Sequence, residues 1–320
     1  MKIIVYIQSS EGKINPISLE SLVAAQELKS SKSAEVYAAT FCSDIASQLT
    51  GYDIDGVMHI SNDDLSSYSP LHYIEAFNQL HSIHSPDLFI FGHTYETRDW
   101  VPRLSARLEI PFLSDCIGMN IDGTTSFTRS LYQNKINVDL SVSSKSAIVS
   151  FQSGAYKIDA LKEGSTDTSS VSVDLNSVEN KIVNEDKFKE TDGAIDLSAA
   201  DFIVSIGRGI GKEENIPMAK ELADLIGAQL ASSRPVVDSG WLNHSLQIGS
   251  SGQIVSPKLY FALGISGAIQ HSVGMKGSSC ILVINKDSNA PIFEIADYGV
   301  VGDIMEIVPK LTSAIKELNG

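Results

Sequence analysis

The chain reads as two consecutive α/β domains, the first doubly wound and the second a smaller α/β unit with features of nucleotide binding. Three observations predict this. The N-terminal part alternates β-rich apolar runs with amphipathic stretches, the pattern of a parallel sheet covered by helices. Residues 162–192 then break the rhythm with a segment rich in Ser, Thr, Asp, Glu, Asn and Lys. At Phe202 the rhythm restarts, with a buried-looking strand running into a glycine-rich turn. With 320 residues and 43% hydrophobic content, the chain is long and apolar enough for about two cores.

Taken in order, residues 3–8 form the first strand and 17–28 a helix, with Leu19, Leu22, Val23 and Gln26 at helical spacing. Strands follow at 35–41 and 57–60, a helix at 71–84, a strand at 88–92, a helix at 96–108 and a strand at 111–119. Beyond Thr124 the segments 126–132 and 147–151 alternate apolar and polar residues, which predicts antiparallel strands at the sheet edge. Residues 171–175 keep a strand-like alternation inside the polar segment. We place the boundary near Asp196, giving domains 1–195 and 196–320. In the second domain, strands are expected at 202–206, 259–263 and 279–285, and helices at 213–226 and 303–318.

Bulk chemistry removes several function classes. A formal net charge of −15, from 39 acidic against 24 basic residues, repels phosphate backbones and anionic lipid, so no nucleic-acid partner is expected. No stretch approaches the ~18 to 20 apolar residues of a membrane helix, and the N-terminal apolar run is too short for a signal-peptide core. No membrane insertion is expected. Cys42, Cys116 and Cys280 stand far apart with no CxxC pair, which disfavours zinc, an iron-sulfur cluster or a disulfide framework. A cytoplasmic location is the simplest expectation.

Four segments carry candidate chemistry. The run 203–211, IVSIGRGIG, is a strand entering a glycine turn, where backbone amides can approach an anion; its GxGxG spacing also suits a plain tight turn. Arg208 within it is placed to meet a pyrophosphate. In SRPVVDSGWL, Arg234 sits between Ser233 and Pro235 after a strand-like run. The polar turn LQIGSSG contains Ile248, Gly249 and the hydroxyls of Ser250 and Ser251. In GISGAIQH, Ser266 is expected to cap a helix, and Gly267 and Ala268 to let a flat ligand approach the backbone; His271 follows one turn later.

In this order, the four segments resemble the C-terminal FAD-binding domain of the electron transfer flavoprotein alpha subunit. The stretches SRPVVDSGWL, IVSPKLYFALGISGAIQHSVGMK and INKDSNAPIFEIADYGVVGD match that family almost continuously, and GHTYETRDWVPRLSARLEIPFLSD resembles its first domain. The resemblance implies a Rossmann-like FAD-binding second domain. It also implies a heterodimer with a beta subunit that docks on domain 1–195, electron donors such as acyl-CoA dehydrogenases of fatty acid oxidation, and a membrane quinone oxidoreductase as acceptor. Residue by residue, it places Arg208 and the turn Ser266, Gly267, Ala268, Ile269, Gln270 and His271 at the pyrophosphate and ribityl chain. Asn285, Asp303 and Ile304 fall at the adenosine. Ser233, Arg234, Ile248, Gly249, Ser250 and Ser251 fall at the isoalloxazine. Arg234 and His271 are the candidate partners for negative charge developing near N1 and the C2 carbonyl, Arg234 being charged at any working pH.

The chain departs from the family where Ser250-Ser251 replaces a common Gln-Thr and where Pro235 replaces a small residue, changes that bear on the flavin potential. Two alternatives remain at this level. One is an electron-bifurcating complex using NADH, although the chain carries no cysteine-rich ferredoxin extension. The other is a non-redox nucleotide-binding module. A hydrolase is disfavoured by the lack of a GxSxG elbow.

Overall fold

A computed structural model of the chain describes residues 1–10, 12–132, 135–179, 182, 197 and 200–319. It contains two compact units, Met1–Lys187 and Phe188–Gly320. Asp196, where the boundary is expected, lies outside the described residues.

The first unit runs β1 (Lys2–Tyr6), a small hairpin of β2 (Ser9–Ser10) and β3 (Lys13–Ile14), α1 (Pro16–Lys32), β4 (Glu35–Thr40), α2 (Ser43–Leu49) and β5 (Gly56–Ser61). It continues with α3 (Pro70–His84), β6 (Leu88–Gly92), α4 (Tyr95–Leu108), β7 (Phe112–Asn120), β8 (Ser126–Leu131), β9 (Ile136–Ser141), β10 (Ala147–Phe151) and β11 (Thr168–Ser172). Nine strands make one sheet in the order β11-β5-β4-β1-β6-β10-β7-β8-β9. β1 pairs in parallel with both β4 and β6, so successive crossovers leave to opposite faces and the sheet is doubly wound. Each face has its own core. Leu22, Leu28, Ile45 and Val149 pack under α1 and α2, while Phe77, Phe89, Phe91 and Trp100 pack with Tyr6 under α3 and α4. Local chemistry sets the helix limits: Pro starts α1 and α3 at the first turn, and Ser33, Ser85 and Glu109 close α1, α3 and α4 in the left-handed conformation.

The expected antiparallel edge holds for β8, which pairs antiparallel with β7 and β9. It does not hold for β10, which lies between β6 and β7 and is parallel to both. Every residue of its sequence AIVSF is buried, the signature of an interior parallel strand. The chain makes the β8–β9 excursion to the edge and then returns to fill an interior position. The strand expected at 171–175 is shifted to Thr168–Ser172, parallel to β5.

The second unit contains β12 (Phe202–Ile206), α5 (Ile216–Leu225), β13 (Gln229–Ser233), α6 (Arg234–Asp238), β14 (Gln247–Ile248), β15 (Leu259–Leu263), α7 (Ile269–Ser272), β16 (Ile281–Asn285), β17 (Tyr298–Val301) and α8 (Ile304–Asn319). Its six strands are ordered β14-β13-β12-β15-β16-β17, all parallel. Counted from β12, this is the 3-2-1-4-5-6 order of a Rossmann-like sheet. The helix expected at 213–226 begins as a 3-10 turn, Glu213–Asn215, and becomes α-helical at Ile216, because Pro217 in its first turn favours a start there. On one face Leu222 and Ala223 of α5 meet Ile304 and Val308 of α8 over Val204 and Leu263.

Among the described residues no helix is long and apolar enough to cross a membrane. No group of three or more His, Cys, Asp or Glu among them is placed to hold a metal ion.

Candidate functional site

In a sheet of this order the strand sequence reverses between β12 and β15, and the crevice outside their carboxyl ends is the natural ligand position. A cleft of about 700 Å³ lies there. Ligand pockets span roughly 300 to 1,000 Å³, so its size suits a large small molecule. The turns that follow β12, β13, β14, β15 and β16 all contribute to its lining.

The floor is built by two turns crossing backbone on backbone. Gly209 N–H donates to the Gly264 carbonyl at 3.0 Å, and Gly207 N–H to Leu263 at 2.8 Å. A Cβ on Gly209 would lie 2.7 Å from Gly264 Cα, and one on Gly264 would lie 2.8 Å from Gly209 Cα, while Gly264 also has a φ of +62°. The glycine motif after β12 therefore serves this crossing. Its turn is a 3-10 segment, Arg208–Ile210, and the α-helix begins only at Ile216, so no α-helical N-terminus stands directly behind it.

Above the floor, the chain offers unspent donors. The amides of Ser266, Gly267 and Ala268 donate to no described protein group. Gly267 has a φ of +82°, and a Cβ there would lie 2.3 Å from Ile292 N, so the turn needs glycine at this point. The expected Ser266 cap is not formed: Ala268 occupies the N-cap position of α7, with no side-chain cap bond. Arg208, Arg234 and Lys286 line the cleft, against the acids Asp238 and Asp287. Three cations converging in a chain of net charge −15 mark this surface as a place for negative charge. Arg234 Nε pairs with Asp238 Oδ2 at 3.3 Å, one turn along α6, with both side chains exposed.

The turn after β14 is held by buried polar groups. Gln247 Nε2 donates to Ser251 Oγ at 3.0 Å, leaving the Ser251 O–H free to donate elsewhere. Ser250 N–H donates to the Gln270 carbonyl at 2.7 Å. His271 is buried, with Nδ1 3.1 Å from the Ile248 carbonyl and Nε2 2.9 Å from the Tyr260 hydroxyl. Burial holds its pKa down to about 4, the Ile248 bond opposing part of that shift, so the ring is neutral at physiological pH. Of the two candidate partners for negative charge, Arg234 is therefore the cation, and His271 lines the cleft as a neutral ring.

The structure brings Arg208, Ser233, Arg234, Ile248, Gly249, Ser250, Ser251, Ser266, Ala268, Gln270, His271 and Asn285 together around the cleft. Gly267, Ile269, Asp303 and Ile304 are not among its lining. Asp303 caps α8 by accepting from Met305 N–H at 2.8 Å, and Ile304 is buried in the core. Asn285 lines the cleft but spends its amide internally, donating to the Ile265 carbonyl and accepting from Asp287 N–H. The sequence reading missed Gln247, Lys286 and Asp287. The last two follow β16 directly, a position that the strand order itself marks.

The first unit assembles a Ser, a His and an Asp that the sequence does not single out. His93 Nδ1 lies 2.9 Å from Ser150 Oγ, and His93 Nε2 lies 3.8 Å from Asp115 Oδ1. This is no nucleophile relay. Ser150 is 1% exposed within an interior strand, and its oxygen already accepts Asp115 N–H.

Comparison with known proteins agrees with this architecture. The model of the electron transfer flavoprotein domain matches residues 3–176, and that of the electron transfer flavoprotein FAD-binding domain matches residues 196–276. The chain is 35% identical to an electron transfer flavoprotein subunit alpha of Bacillus subtilis, covering 99% of this chain and 98% of that one. It is 34% identical to another from Thermoanaerobacterium thermosaccharolyticum, with 98% and 97% covered. A subunit of the lactate dehydrogenase (NAD(+),ferredoxin) of Acetobacterium woodii is 32% identical, with 98% of this chain and 77% of that one covered.

Proposed function

The chain belongs to the electron transfer flavoprotein family as an alpha subunit, and from that premise we propose that it carries electrons on a FAD held in the cleft of its second unit. The observation that carries this reading is that Ser266 and Ala268, whose amides donate to no described protein group, line one cleft with Arg208, Arg234 and Lys286 at the carboxyl ends of β12, β13, β15 and β16. A donor set of unpaired amides, serine hydroxyls and guanidinium groups fits a pyrophosphate and a polyol, and the apolar Ile248, Ile265, Ala268 and Ala290 fit flat rings.

When bound, FAD supplies the redox chemistry, accepting electrons from a dehydrogenase and passing them on singly. The chain supplies placement and charge. The Ser266–Ala268 turn and Arg208 hold the diphosphate; Ser233, Ser250 and Ser251 offer hydroxyls to the ring end; Arg234 offers the positive charge there. A visible spectrum tests the assignment: the purified protein, with its partner, should be yellow and absorb near ~450 nm as flavoproteins do. Absence of flavin after reconstitution would sink it.

Arg234 separates function from stability. Its pair with Asp238 is exposed, so Arg234→Ala should leave the melting transition nearly unmoved, within roughly 0.5 kcal/mol. The bound flavin should become harder to reduce, on the order of tens of millivolts in potentiometric titration. An unchanged potential would remove Arg234 from the role.

The first unit is the proposed docking surface for a beta subunit. In support, it exposes Tyr95 and Tyr132, at 73% and 75%, together with Ile136, large apolar groups that a partner would cover. Acyl-CoA dehydrogenases as donors and a quinone oxidoreductase as acceptor complete the reading. A second assignment, electron bifurcation with NADH, draws support from the similarity to the Acetobacterium woodii lactate dehydrogenase subunit. Counting flavins per heterodimer separates the two, since a second FAD marks the bifurcating form.

A further inference from the structure

Gln247 lines the cleft, yet the proposed cofactor contacts leave it without a role. It lies on β14, is 2% exposed, and its Nε2 donates to Ser251 Oγ at 3.0 Å. Ser251 is exposed on the cleft wall, so the bond ties an exposed hydroxyl to a buried amide. The backbone of the turn is held without it. Gly249 N–H donates to the Gln253 carbonyl at 3.1 Å, Gln253 N–H to the Gln247 carbonyl at 2.8 Å, Gly252 N–H to the Gly249 carbonyl at 3.0 Å, and Ser250 N–H to the Gln270 carbonyl at 2.7 Å. With the main chain closed in this way, what the Gln247 side chain fixes is the direction of one hydroxyl. A serine hydroxyl has one hydrogen and two lone pairs, whereas an amide nitrogen offers hydrogens only. One lone pair of Ser251 Oγ is therefore taken by Gln247, and the hydroxyl hydrogen points away from it. Serine also lacks the branch at Cβ that would restrict χ1, so the amide is what holds its rotamer.

We propose that Gln247 is a positioning residue for the cofactor: by donating to Ser251 Oγ it commits that hydroxyl to act as a hydrogen donor and aims it at an acceptor atom of the flavin ring. The inference rests on reading the cleft as the FAD site, with Ser251 at the ring end. Two effects follow from a hydroxyl held in one direction. Its rotamer is fixed before FAD arrives, so binding loses less entropy. Reduction adds electron density to the ring, and a donor already in place stabilises that density without reorganising. Gln247 thus favours both the bound and the reduced flavin while touching the ring only through Ser251.

The test is a double-mutant cycle on the full chain in complex with its partner subunit: wild type, Gln247→Met, Ser251→Ala and the two together. Methionine keeps the length and apolar stem of glutamine and removes its amide. FAD affinity is read from flavin fluorescence quenching and the potential of the bound flavin from a redox titration. Each single variant should lower affinity about fivefold and make the flavin harder to reduce. The double variant should be no worse than Ser251→Ala, because Gln247 acts through that hydroxyl. Additive losses overturn the proposal, as does Gln247→Met with wild-type affinity and potential. Ser251→Ala with an unchanged potential also overturns it, since the hydroxyl would then be donating to Gln247 and not to the ring. If Gln247→Met does not fold, the flavin-free Ser251→Ala chain decides. It strands a buried amide donor and should lower the melting midpoint of the second unit by about 2 to 4 °C, whereas an exposed serine without this bond is truncated at no cost. An unmoved midpoint overturns the proposal. By contrast, a wild-type complex that takes up no FAD overturns the reading of the cleft itself, whatever the melting of Ser251→Ala shows.

Discussion

Gly264→Val is expected to abolish retention of FAD while leaving the first unit folded. Two costs meet at this position. A β-branched residue at φ +62° is a steric outlier, worth ~1 to 3 kcal/mol of strain. In addition, the new Cβ would stand 2.8 Å from Gly209 Cα and 3.0 Å from Gly209 C, and these are backbone atoms with no rotamer through which to escape. Overpacking of that kind costs a further ~1 to 3 kcal/mol. The structure relieves it by parting the turns after β12 and β15, which moves Arg208 away from the Ser266–Ala268 amides. Losing that convergence should weaken FAD binding by about a hundredfold or more, in line with ~3 kcal/mol. Gel filtration followed by a flavin-to-protein absorbance ratio reads the effect, and circular dichroism checks that the helices remain. Full flavin occupancy in the variant would show that the crossing of the two turns does not shape the site. Gly264→Ala, with the same Cβ but no branching, should lie between wild type and the valine variant.

The same crossing shows what the sequence can and cannot disclose. The order of the turns after Ile206, Ser233, Ile248 and Leu263 is legible, because each is local: a buried run, then small or polar residues. The reason for the glycines is not legible, since Gly209 and Gly264 are far apart in the chain and need each other only after β12 and β15 pair. Likewise AIVSF at β10 announces a strand but not its neighbours; its place between β6 and β7 depends on the 126–141 hairpin extending the sheet edge beyond β7. His271 shows the limit at a single side chain. Its position in a small-residue turn suggests a ligand contact, and it does line the cleft, but its partners, Tyr260 and Ile248, lie 11 and 23 residues away, so no local pattern discloses that the ring is buried and neutral. Asn285 is similar: the residue type suggests recognition, and the fold spends it on Ile265.

Glu20→Gln should stabilise the first unit in neutral and alkaline solution and do nothing in acid. Glu20 lies on α1, 6% exposed, and Gly154 N–H donates to its Oε2 at 2.7 Å. Desolvation by burial raises its carboxyl to about 7, the Gly154 bond opposing only part of the shift. An unfolded chain restores the ordinary value, about 4.3. Between the two, the folded state binds more protons than the unfolded state, so the unfolding free energy falls as pH rises across that window. Below about pH 4 both states are protonated and no penalty exists; above about pH 8 both are ionised and the folded state carries the whole cost of a buried charge. Raising the carboxyl from 4.5 to about 7 corresponds to about 3 kcal/mol. Glutamine keeps a carbonyl oxygen for Gly154 and has no charge to bury, so the variant should gain on wild type progressively from pH 5 to 8. Urea denaturation at several pH values, followed by the fluorescence of Trp100 in the core of this unit, would trace the difference. A gap between the two proteins that stays flat with pH would mean that Glu20 ionises in the folded state as readily as in water, and that water or a cation reaches it behind Gly154.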